Sequence, residues 1–247
     1  MATFEDLQDA TVVITGGANG IGEAMTRAFR AQGSAVFFCD VDEARGQQLQ
    51  SESGAIFTNV DLREESQIVD WIGGVVSKRE RIDALINNAA RDPRVELVNQ
   101  TVAAWDDLMA TNLRPHMLTA REASPHMPEG SSIVNFSSIV YELGMSPMSC
   151  YVATKAGIRG LTRSLARELG PKRIRVNTIC PGWVLTPRQL AEHASEEDID
   201  RVLNQLQSIP DRIEPETVAE VALFLASSCS NVITGQEIIT DHGWVHG

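Results

Sequence analysis

No stretch of about 20 consecutive apolar residues occurs in the chain, which excludes a bilayer-spanning helix. The opening residues, Met1 to Thr11, lack a basic segment followed by an apolar core, so no export signal is expected and the protein should be cytoplasmic. Cysteine is sparse and scattered: Cys39, Cys150, Cys180 and Cys229 contain no C-x-x-C pair, which argues against a disulfide framework or a thiolate metal cluster. The five histidines show no H-E-x-x-H or comparable spacing, and no metal is expected. Positive charge is in deficit, with 21 Lys and Arg against 33 Asp and Glu and a net charge of −12. Such a chain has no basic stripe for nucleic acid or an anionic membrane, and its partners should be small molecules or copies of itself. Internal repeats and low-complexity tracts are also missing.

What remains is 247 residues, 43% of them hydrophobic, enough for one well-buried domain over 1–247. The least regular part, about 184–212, is charged and bounded by Pro187 and Pro210. It reads as an excursion from a compact domain rather than a domain boundary.

Thr11 to Ile14 is a short β-branched run that leads at once into Thr15-Gly16-Gly17-Ala18-Asn19-Gly20-Ile21-Gly22. Beyond it Ile21, Ala24, Met25, Ala28 and Phe29 recur with helical spacing. A strand, a glycine turn and a helix place backbone N–H groups and a helix N-terminus where a pyrophosphate can sit. The next strand, Ala35 to Cys39, ends in Asp40. A carboxylate there suits the ribose hydroxyls of NAD and repels the extra phosphate of NADP, and neither Asn19 nor Val41 supplies a compensating cation. Strands at Ala55–Thr58, Ile82–Ile86, Ser132–Phe136 and Ile174–Ile179 alternate with helical patterns at Glu64–Ser77 and Val102–Arg121. Pro215–Ser227 and Gly235–Asp241 close the chain as a helix and a last strand. The expected fold is α/β, a doubly wound parallel β-sheet of about seven strands with helices on both faces and ligands at the carboxyl edge.

Tyr151 and Lys155 lie four residues apart at the start of a long helical pattern, which stacks them on one face. An ammonium beside a phenol favours the phenolate and would make a proton acceptor of it. Ser137 and Ser138 follow the Ser132–Phe136 strand at the ligand edge.

The T-G-x-x-x-G-I-G loop at Thr15, the N-N-A segment at Asn87 and the Tyr151/Lys155 pair together resemble the short-chain dehydrogenase/reductase family over the whole chain. The resemblance implies a catalytic set of Asn112, Ser138, Tyr151 and Lys155. Ser138 is selected over Ser137 because it lies 13 residues before the tyrosine. It implies cofactor contacts from Gly16, Asn19, Gly20, Ile21, Gly22, Asp40, Asp61, Leu62, Asn88 and Ala89, from Tyr151 and Lys155, and from Pro181, Gly182, Val184 and Thr186. Ala90 stands where the family commonly has glycine, which adds one methyl group to the floor of the site. The implied chemistry is reversible hydride transfer between a carbinol carbon and NAD, with Lys155 lowering the tyrosine pKa and Asn112 holding a relay water. A homotetramer is also implied.

For substrate, Ala90, Arg94, Ser138, Trp183, Arg188 and Gln189 are the candidates, within a wider polar set of Arg91, Asp92, Glu142 and Ser149. The segments around Asn88–Arg94 and Pro181–Gln189 resemble the bacterial NAD-dependent aldose 1-dehydrogenases of the family. A sugar is expected, with another polyol or secondary alcohol as the alternative. An acyl-carrier-protein reductase would want NADP and a basic docking patch. A regulator that binds the dinucleotide without turnover has no need of the four catalytic residues together.

Overall fold

In the computed structural model, which describes residues 2–245, the strands β1 (Thr11–Thr15), β2 (Ala35–Asp40), β3 (Ile56–Asn59), β4 (Ala84–Asn87), β5 (Ser132–Phe136), β6 (Arg175–Pro181) and β7 (Glu237–Thr240) form one sheet. Met1, His246 and Gly247, the ends of the expected 1–247 domain, lie outside the described residues. The strand order is β3-β2-β1-β4-β5-β6-β7 and every pairing is parallel. Parallel neighbours need long crossovers, and helices supply them: α1 (Gly20–Ala31), α2 (Glu43–Ser53), α3 (Glu65–Arg79), α4 (Val102–Asn112), α5 (Arg114–Ala123), α6 (Val140–Leu143), α7 (Ser149–Leu169), α8 (Pro187–Glu192), α9 (Glu196–Arg201) and α10 (Pro215–Ala226).

Alternation along the strands divides the core in two. Val12, Ile14, Val36, Phe38, Ile86 and Val134 face one layer with Met25 and Phe29 of α1 and Leu223 of α10. Val13, Phe37, Leu85, Ile133 and Val176 face the other with Ile68, Trp71 and Ile72 of α3 and Leu118 of α5. Each such side chain, fully buried, contributes about 1.5–3 kcal/mol of transfer free energy.

Three local departures from the sequence pattern have physical causes. The expected helix over 102–121 is broken at Leu113, because Pro115 has no N–H to continue the ladder; Asn112 therefore ends a helix instead of sitting inside one. The expected strand at Ile82 begins only at Ala84, since the Asp83 carboxylate accepts the Thr11 N–H at 2.8 Å. Helix α2 has no apolar stripe to announce it: only Gly46 and Leu49 are buried, and a Cβ at Gly46 would lie 2.3 Å from the Phe57 ring. In the 184–212 excursion, α8 and α9 are followed by a π-helical turn, Val202–Leu206.

The strand order reverses between β1 and β4, whose crossovers run to opposite edges. The space beyond the carboxyl ends of such strands is left open, and it decides where the site lies.

Candidate active site

A cleft of about 1330 Å³ runs along that edge. At one end β1 turns into α1. Gly16 has φ +63°, and a Cβ there would lie 2.8 Å from the Ala89 Cα, so the left-handed turn and the close approach to the segment after β4 both demand glycine. Gly22 does not line the cleft. It lies in the first turn of α1, where a Cβ would sit 1.8 Å from the Gly16 carbonyl oxygen, so its part is to let loop and helix touch. Asp40, at the end of β2, accepts the Ala18 N–H at 3.1 Å and the Asp42 N–H at 3.1 Å. The Asn19 amide donates to Asp42 at 3.2 Å. Asp61 pairs with Arg63 at 2.6 Å, which holds its carboxyl below the usual range.

At the other end, Ser138, Tyr151 and Lys155 converge. Helix α7 carries Tyr151 and Lys155 on one face, with the ammonium 5.5 Å from the ring centroid. Lys155 is buried, and its Nζ donates to the Phe136 carbonyl at 2.9 Å. Ser137 and Ser138 both line the cleft; the Ser137 hydroxyl donates to the Lys155 carbonyl at 2.8 Å, whereas the Ser138 hydroxyl accepts the Val140 N–H at 3.3 Å and acts on Tyr151. Burial pushes Tyr151 above the usual phenol range, and the nearby Asp92 adds to the rise, while the Ser138 hydroxyl and Arg188 oppose it. This reverses the depression expected from Lys155. The reason is dehydration of both groups, which also brings Lys155 down to about 8 against the opposing effects of Cys180 and Asp92.

Asn112 does not line the cleft either. Its side chain accepts the Arg91 N–H at 2.9 Å and donates to the Arg91 carbonyl at 2.8 Å. The side chain of Asn112, the residue expected to hold a relay water, pins the loop that follows β4. Every other candidate cofactor or substrate residue, Ala90, Arg94 and Trp183 among them, lines the cleft. In the wider polar set, Glu142 instead pairs with Arg159 at 2.9 Å, and Ser149 begins α7 off the cleft wall. Asp42, Arg45 and Trp244 also line it. The sequence pattern pointed to none of these, because α2 has no periodicity and Trp244 lies beyond the last strand.

Beneath this end, a buried polar chain runs over one face of the sheet, from α5 across β4 and β5 to α7. Thr119 donates to Asn87 at 2.8 Å, Asn87 to Asn135 at 3.0 Å, and Asn135 to Thr162 at 2.9 Å. His116 is buried beside it. Burial, and then Lys155, hold its pKa down to about 3. The unfolded chain therefore takes up a proton below its ordinary 6.5 while the folded one does not, so stability is lost as pH falls from 6.5 toward 3. Between about pH 7.5 and about pH 5.5 the loss through this group is on the order of 1 kcal/mol. Urea unfolding of His116→Gln at the two pH values should show the acid penalty smaller by about that amount.

The chain is similar to known dehydrogenases and reductases. Residues 16–245 match the family model described as Enoyl-(Acyl carrier protein) reductase. A D-xylose 1-dehydrogenase of Caulobacter vibrioides is 38% identical over 246 residues, covering 98% of each chain. A probable galactose dehydrogenase of Rhizobium meliloti is 39% identical over 248 residues, covering 97% of this chain and 96% of that one. The crystal structure of a dehydrogenase/reductase from Sinorhizobium meliloti 1021 superposes with a TM-score of 0.89 at 30% identity, covering 97% and 96% of the two chains.

Proposed function

The chain belongs to the short-chain dehydrogenase/reductase family, and from that premise we propose that it oxidises the C1 hydroxyl of a neutral aldose to the lactone with NAD. It is an oxidoreductase acting on CH–OH groups. The observation that carries the reading is that Tyr151, Lys155 and Ser138 share one cleft with the glycine turn and Asp40. The sugar is supported by the xylose and galactose dehydrogenases among its relatives.

The cradle fits a dinucleotide: a Cβ at Gly16 would strike the Ala89 backbone, and the loop opens the N-terminus of α1, the arrangement that receives phosphates. Asp40 and Asp42 at this end, with Arg45 held by Glu23, support NAD over NADP. Lys155 and Asn88 would hold the nicotinamide half, and Thr186, which caps α8 by accepting the Gln189 N–H, the carboxamide side. When bound, the nicotinamide supplies the hydride acceptor. The protein's part is to handle the proton. Ser138 holds the substrate oxygen, Tyr151 as phenolate takes the hydroxyl proton, and the Lys155 ammonium favours that phenolate. Asn112 serves by fixing the backbone beside Ala90.

The 184–212 excursion is proposed to be a lid over the substrate end. A tetramer is proposed as the assembly, supported by exposed Val102, Trp105 and Met117 on α4 and α5 and Ile239 on β7; light scattering giving a monomer mass would reject it.

The test is a screen of NAD reduction over aldoses, polyols and simple secondary alcohols. Turnover of an aldose to its lactone is expected. Activity confined to aliphatic alcohols would reject the sugar, and dinucleotide binding without any turnover would favour a regulator. Separately, Asp40→Ala should erode the NAD preference measured by binding of the two cofactors; an unchanged ratio would refute the role given to Asp40.

A further inference from the structure

One carboxylate in the cleft belongs to neither the glycine turn nor the catalytic group. Asp92 follows β4, and its side chain is only 13% exposed. Two residues of α8, across the cleft mouth, reach it: Arg188 donates to Oδ1 at 2.5 Å, and the Gln189 amide donates to Oδ2 at 2.9 Å. The other end of that amide accepts the Trp183 indole N–H at 3.0 Å. Gln189 is thus held at both ends, and the position of the carboxylate does not depend on a free rotor.

Each carboxylate oxygen has about two lone-pair directions. Arg188 takes one on the first oxygen and Gln189 one on the second, which leaves one on each. That is the complement of two hydroxyl donors on adjacent carbons. Arg188 balances the charge, so the group does not call for a cation. Asp92 lines the same cleft as Tyr151 and Lys155, and its charge acts on both.

Building on the sugar reading above, we propose that Asp92 is the specificity-determining residue of the cleft, accepting two neighbouring hydroxyls of a neutral aldose away from the carbon that is oxidised. Arg188 and Gln189 are its positioning residues. A substrate without those hydroxyls covers a nearly dry carboxylate and gives it no donor, a mismatch that sites of this kind reject strongly.

The experiment compares wild type, Asp92→Asn and Asp92→Ala on the best aldose, on its monodeoxy analogues and on a simple secondary alcohol, with thermal melts to confirm folding. On the aldose, kcat/KM of Asp92→Ala should fall by about 10²–10⁴-fold, two hydrogen bonds to a charge being lost. That loss should exceed the loss on the simple alcohol by at least about tenfold, and it should shrink on the deoxy analogue that wild type already handles poorly. The conservative Asp92→Asn gives a second readout. Tyr151 is faced by Asp92, Arg188, Ser138, Cys180 and Lys155, and Lys155 by Cys180, Asp92 and His116; removing the Asp92 charge should move the pH profile of kcat/KM to lower pH. Equal losses on aldose and simple alcohol, or an aldose kcat/KM within about fivefold of wild type, would overturn the proposal while leaving the sugar reading intact. A wild type that oxidises the simple alcohol and no aldose would overturn both.

Discussion

Tyr151→Phe is expected to lower kcat for alcohol oxidation by about 10²–10⁴-fold, the usual worth of a positioned acid or base. The ring remains to pack at the start of α7, so the melting temperature and dinucleotide affinity should change little. Burial has raised the phenol above its ordinary range, so the ionised form is scarce at neutral pH. Wild-type oxidation should therefore climb with pH as the phenolate fraction grows, and the residual rate of Tyr151→Phe should lack that climb. A steady-state pH profile of the two proteins checks both points. A variant near wild-type rate would remove Tyr151 from the chemistry.

Gly22→Ala should produce the largest loss of dinucleotide affinity from a single methyl group. The added carbon would be 1.8 Å from the Gly16 carbonyl oxygen, a backbone atom that cannot swing away like a side chain. Either the loop lifts from α1 or the helix shifts, and both spoil the seat for phosphates. Overpacking of this kind costs about 1–3 kcal/mol in stability. A matching distortion of the seat should weaken dinucleotide binding about 10–100-fold, since 1.4 kcal/mol is about tenfold. Calorimetric titration measures it. By contrast Gly73→Ala, where a Cβ meets nothing within 4 Å, should bind normally.

The alternation of apolar runs with glycine turns and helical stripes was enough to read the parallel sheet, because those periods express which face each element buries. Tyr151, Lys155, Ser138 and Asp40 were legible for a related reason: each sits at a strand end or on a helix face set by spacing along the chain. Other features depend on partners far apart in sequence. Asn112 is spent on the Arg91 backbone, which nothing near Asn112 encodes. The upward push on Tyr151 comes from burial, a property of the whole fold, whereas spacing alone points to the neighbouring ammonium. The Asp92 cluster joins side chains 96 and 97 residues apart, and only the folded chain shows that Arg188 and Gln189 take separate oxygens. Helix α2 escaped because it packs through a glycine.

The central claim, that this cleft moves a hydride from an alcohol carbon, is tested most directly with an aldose deuterated at C1. Incubated with NAD and the protein, it should yield the lactone and a reduced nicotinamide carrying one deuterium at C4, seen by NMR, with none lost to water. Reduced nicotinamide without deuterium, or deuterium released to solvent, would contradict the account.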